Sequence, residues 1–204
     1  MLVMRTMRNT MIVLVLTFIL SCTLGATQLQ LTGVNGEAAG GEYIGPYYVS
    51  VGGGAPQAMI CSNFYVVIGI GQTWNANQLG WSDLTEAERP FYGAAYWLAE
   101  SILDTPAPHA AAQWALWNLF APTSPMPGTA PTMLAWANSQ YAANPDWASY
   151  AGLVIWRPNP LQSSQEFITI TDTPEMATFT YLGSGLLLLL PFGLRRQFRQ
   201  RGAE

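Results

Sequence analysis

Apolar and polar positions alternate in two stretches of the chain and follow a helical spacing between them. Residues 47–51 (Tyr-Tyr-Val-Ser-Val) precede Gly52-Gly53-Gly54, and 57–61 (Gln-Ala-Met-Ile-Cys) follow, which predicts a β-hairpin closed by a glycine turn. Residues 64–70 and 72–74 predict further short strands. Phe91, Ala94, Ala95, Leu98 and Ile102 then recur at helical spacing, with Pro90 suited to a first turn. Thr85 and Glu88 upstream form a capping-box pattern, and Pro90 so close to it predicts a broken helix there. Thr105 followed by Pro106 predicts the opening of a second helix running to Phe120, and a proline-rich loop over 122–131 leads to a third over 132–143. Strands return at 153–156 and 166–171. Strands, a helical insert and strands again predict an α+β fold: a small β-rich domain over 27–172, flanked by terminal segments.

Each of those segments contains an apolar run. Residues 1–26 carry Arg5 and Arg8, ten apolar or small residues over 11–20, and then small residues, the pattern of a secretory signal peptide. Ten residues of helix reach roughly 15 Å, half of a hydrocarbon core of about 30 Å, so a retained anchor is disfavoured. Cleavage after Gly25 or Ala26 by signal peptidase and lipoprotein processing at Cys22 both remain open. Residues 173–204 hold Pro174 and Glu175, an apolar stretch over 177–194, and then Arg195, Arg196, Arg199 and Arg201. Eighteen residues of helix span roughly 27 Å, enough for a transmembrane helix whose arginines stay on the cytoplasmic side. A plain tail anchor would have the same apolar run and basic end. Pro-Glu, a glycine-containing apolar helix and a terminal arginine cluster together resemble the PEP-CTERM sorting signal. That resemblance implies exosortase as a partner, cleavage near Pro174 and Glu175, transient anchoring in the membrane, and a final location at the cell surface or in the extracellular matrix.

Charge adds an exclusion. The chain has 204 residues and a net charge of −4; all eight basic residues are arginine, and only Arg89 and Arg157 lie between the two ends. An acidic domain with two scattered arginines has no electrostatic footprint for nucleic acid. Chemistry is also sparse. His109 is the only histidine, Gly52-Gly53-Gly54 lacks the Lys and Ser/Thr of a phosphate loop, and no His/Cys cluster suits a metal, so neither a cofactor nor an enzyme with turnover is expected.

Cysteine usage is more informative. With Cys22 in the signal segment, Cys61 has no intrachain partner in an oxidising compartment. Gln113 lies in Ala111-Ala112-Gln113-Trp114-Ala115-Leu116-Trp117 and shares a helix face with His109, Leu116, Trp117 and Phe120. An inert thiol and an amide bonded to a strand edge are one reading of this pair. The Gln-x-Ala-aliphatic-Trp pattern, with a single cysteine ending an upstream strand, also resembles the thioester domains of bacterial surface adhesins. That resemblance implies an internal thioester between Cys61 and Gln113, His109, Trp114 and Trp117 as supporting residues, Trp74 and Trp97 as further apolar walls, and covalent capture of a surface amine. The alternative function is a non-covalent structural or glycan-binding envelope module.

Overall fold

The computed structural model describes residues 26–106 and 108–171. Residues 1–25 of the expected signal peptide, Cys22 among them, and the expected sorting signal over 173–204, with Pro174, Glu175 and the four terminal arginines, lie outside the described residues. Among the described residues no helix is long and apolar enough to cross a membrane.

Eight strands, three α-helices and two short 3-10 helices make up this region. The strands are β1 (Thr27–Val34), β2 (Ala38–Ala39), β3 (Glu42–Tyr43), β4 (Tyr47–Val51), β5 (Pro56–Cys61), β6 (Thr73–Gly80), β7 (Leu153–Pro158) and β8 (Phe167–Ile170). The helices α1 (Arg89–Asp104), α2 (Ala110–Phe120) and α3 (Ala130–Ala143) are inserted together between β6 and β7. The mixed fold and the helical insert follow the expected order.

Six strands close into an antiparallel barrel in the order β1-β4-β5-β8-β7-β6, and β2 pairs with β3 as a separate hairpin. Alternation explains how the barrel serves two cores. Leu29, Leu31, Val49, Met59, Cys61, Trp74, Ala76 and Phe167 form one buried cluster contributed by the strands. Ile60, Leu153, Ile155 and Ile168, the neighbours in register, join a second cluster with the helices through Leu98, Ile102, Trp114, Leu116 and Trp117. Cys61 ends β5 opposite Phe167, where the two clusters meet.

The hairpin of β4 and β5 forms as the alternation requires, with Tyr47 paired to Met59 and Ser50 to Pro56. Residues 64–70 differ from expectation: they are irregular, not a strand. Their polar groups bond to side chains instead of to a ladder. The Tyr65 N–H donates to Asn63 Oδ1 at 3.1 Å, the Gly69 N–H donates to Gln72 Oε1 at 3.2 Å, and Gln165 Nε2 donates to the Val66 carbonyl.

Two helix starts also differ. The capping box forms, with the Thr85 N–H and hydroxyl donating to Glu88 Oε2 at 2.9 and 2.8 Å. It does not mark a broken helix. The backbone runs on into α1 through Arg89 N–H to Thr85 O at 3.1 Å, because proline in a first turn sacrifices no helical donor. Thr105 is the C-cap of α1, its hydroxyl bonded back to the Ser101 carbonyl, and α2 begins at Ala110, four residues later than an N-cap at Thr105 predicts.

Candidate functional site

The start of α2 is set by a distant residue. Glu37, in the loop before β2, accepts the His109 N–H at 2.8 Å through Oε1 and bonds His109 Nδ1 at 2.7 Å through Oε2. A carboxylate at a helix N-terminus satisfies an orphan donor and complements the helix dipole. His109 Nε2 lies 2.9 Å from the Thr105 carbonyl. Both ring nitrogens are therefore engaged by oxygen atoms, and His109 positions α2.

With α2 so placed, Gln113 falls one turn inside the helix and is fully buried. Its amide nitrogen donates to the backbone carbonyl of Cys61 at 2.9 Å, a contact that joins residues fifty-two apart in the chain. The sequence-predicted pair is thus brought side by side. The strand-edge bond of the ordinary structural reading is present on the nitrogen side, while Gln113 Oε1 is buried with no hydrogen-bond partner among the described residues. A buried carbonyl left unpaired costs roughly 1–3 kcal/mol, so this half of the amide is held in the site at an energetic cost.

Cys61 is free, fully buried, and donates from its thiol to the Asn63 carbonyl at 3.1 Å. Burial pushes the thiol pKa up to about 12, opposed by the Asn63 backbone and by the Trp117 side chain. The Trp117 indole N–H is buried with no hydrogen-bond partner among the described residues. Aromatic rings seal the pair. Phe64 packs against Trp114 and Trp117 at centroid distances of 5.5 and 5.2 Å, and the two tryptophans meet edge to face at 4.9 Å. The β2–β3 turn closes over Trp114: Gly40 has φ +65°, and a Cβ there would lie 3.0 Å from the indole. Trp74 belongs to the strand cluster that holds Cys61. Trp97 belongs to another group, donating to Tyr150 Oη at 3.3 Å.

A polar network that the sequence reading did not single out lies beside Cys61. Glu166 Oε1 accepts from Ser62 Oγ at 3.0 Å and from Tyr92 Oη at 2.7 Å. Arg157 donates through Nε to Glu166 Oε2 at 3.1 Å and through Nη2 to Tyr92 Oη at 2.9 Å, and pairs with Glu88 at 3.0 Å. Burial works against the Arg157 charge, but Tyr92 and Glu166 outweigh it and hold the guanidinium pKa above its ordinary value. The available signal was Arg157 itself, one of two basic residues in an acidic domain. Among the described residues no group of three or more His, Cys, Asp or Glu could hold a metal ion.

No family model matches the chain, and no curated protein matches it. Among solved structures it is similar to the N-terminal domain of the Streptococcus pyogenes pilus tip adhesin Cpa. Sequence identity is 10%, the TM-score is 0.45, and the match covers 76% of this chain and 97% of that one. A likeness this distant does not bear on the chemistry, which rests on the geometry of Cys61 and Gln113.

Proposed function

We propose that the chain is an exported surface protein that attaches covalently to its target through a thioester between Cys61 and Gln113. The observation that carries this reading is the buried amide of Gln113 held against Cys61 with its carbonyl oxygen unpaired. In the forming step the Cys61 sulfur attacks the Gln113 side-chain carbonyl carbon. The carbon–nitrogen bond breaks, and the amide nitrogen leaves as ammonia with the proton given up by the thiol. In the capture step a primary amine attacks the same carbon, an amide forms, and Cys61 regains its proton as a thiol. Each molecule reacts once, so the chain is a single-use adhesin and not an enzyme with turnover.

Burial serves both steps in opposite ways. A thiol whose pKa is raised to about 12 is a weak nucleophile at neutral pH, so forming the bond relies on the close placement of the two groups. The same dry aromatic enclosure excludes water, which would otherwise hydrolyse the activated acyl group. Export by an N-terminal signal peptide and release by exosortase at residues 173–204 complete the proposal and would deliver the domain to the envelope or matrix.

Intact mass of the purified chain tests the chemistry. The expected result is a deficit of one ammonia that is absent in both Cys61→Ala and Gln113→Ala, with methylamine adding to the wild type only. A wild-type mass equal to that of the unmodified sequence, before and after methylamine, would overturn the thioester.

A further inference from the structure

Next to Cys61 lies a cavity of about 620 Å³. Ser62–Val66, Tyr92, Phe120, Arg157, Gln162, Ser164 and Glu166 contribute to its walls. Its size falls within the roughly 300–1,000 Å³ of small-ligand sites. We propose that this cavity binds one or two sugar units of a neutral polysaccharide, a site distinct from the thioester and independent of it.

Three features select an uncharged polyhydroxylated ligand. The charges in and around the cavity are mutually engaged: Arg157 is bonded to both Glu166 and Glu88. An ion of either sign would have to disrupt one of those pairs, whereas hydroxyl groups both donate and accept beside them. The remaining hydrogen-bonding capacity is mixed as well. Ser164 is 1% exposed, and its hydroxyl has no partner among the described residues. An unpaired buried hydroxyl costs roughly 1–3 kcal/mol, which a ligand hydroxyl would recover. The amide side chains of Asn63 and Gln162 add donors and acceptors to the wall.

Aromatic faces supply the third feature. Tyr92 and Phe120 meet at 5.0 Å between centroids, and Phe64 and Tyr65 at 5.1 Å. Tyr65 remains 61% exposed although its hydroxyl is tied to Thr123 Oγ1 at 2.5 Å, so its ring is both accessible and held in place. The electron-rich face of such a ring suits the C–H face of a pyranose. Gln162 has φ +63°, the left-handed region that a non-glycine residue occupies at a cost, and strain of this kind concentrates at ligand clamps.

The test is titration of the purified full-length chain, in sugar-free buffer, with neutral disaccharides built of glucose, galactose, mannose or N-acetylglucosamine. Ligand-observed NMR and tryptophan fluorescence report binding. Saturable binding of at least one sugar is expected, weakened at least about tenfold, or 1.4 kcal/mol, in Tyr65→Ala and in Gln162→Gly. Glycine accepts φ +63° without strain, so Gln162→Gly should unfold no more readily than wild type, and its loss of binding is then a loss of contact. Trp136→Ala, an exposed aromatic change on α3, should bind as wild type does. Cys61→Ala should keep sugar binding while abolishing the ammonia deficit, which separates failure of this site from failure of the thioester. The proposal is overturned if no sugar in the panel binds, if binding survives both cavity variants, or if the amine Nα-acetyl-lysine amide binds Cys61→Ala saturably and displaces the sugar.

Discussion

Cys61 shows how one buried group couples chemistry to stability. Its thiol pKa rises from 9.0 to about 12, mainly because burial penalises the thiolate, and burial also raises Tyr47 and Tyr92 above the ordinary phenol range. All three favour the neutral, protonated form in the folded chain. Between about pH 9 and 12 the unfolded chain gives up the Cys61 proton while the folded chain keeps it, so the unfolded state binds fewer protons and stability falls as pH rises. The expected slope from this residue approaches about 1.4 kcal/mol per pH unit. Urea midpoints from pH 8 to 11 should decline more steeply for thiol-containing wild type than for Cys61→Ala. Ammonia-deficient protein should follow Cys61→Ala, because an acylated sulfur has no proton to lose. Equal slopes for the thiol protein and Cys61→Ala would show that the sulfur does not titrate as its burial requires.

The helices hold the site through close contacts between elements. In α1, Gly93 faces α3, and a Cβ at that position would lie 2.2 Å from Tyr141 Cδ2. Gly93→Ala gains about 1 kcal/mol of helix propensity but overpacks an interface at a typical cost of about 1–3 kcal/mol. The expected net outcome is destabilisation, read as a lower urea midpoint, and a rise in midpoint would show that Tyr141 moves aside freely. The start of α2 illustrates where local signals mislead. Thr105 and Pro106 carry the residue types of a helix opening, yet the Thr105 hydroxyl closes α1, and His109 becomes the N-cap of α2 because Glu37 reaches it from seventy-two residues away. Residues 64–70 mislead for a related reason. Their apolar, β-prone types suit a strand, but they pair with no strand among the described residues, and Val67 is 83% exposed.

At the scale of the whole molecule, the terminal segments predict a processed product. Protein recovered from the envelope or medium of an expressing bacterium should lack residues 1–26 and end near Pro174 or Glu175, by terminal peptide mapping. Retention of the arginine cluster at 195–201 in all exported protein would count against exosortase sorting. Local sequence marked β4, β5 to within one residue, the first four residues of β7, the body of α1 and α3, and the candidacy of Cys61 and Gln113. Strand alternation and helical spacing are imposed by backbone geometry within a few residues, and a lone cysteine and a core-facing amide are visible as residue types. Tertiary structure alone decided that β1 meets β6 and β5 meets β8 to close the barrel, that Glu37 sets the start of α2, and that Ser62, Tyr92, Arg157 and Glu166 share one network beside the sulfur. All of those contacts except the Arg157–Glu166 pair join residues distant in sequence. Their pairing follows from how two cores bury their apolar faces around a closed sheet, a condition on the whole chain that no local window contains.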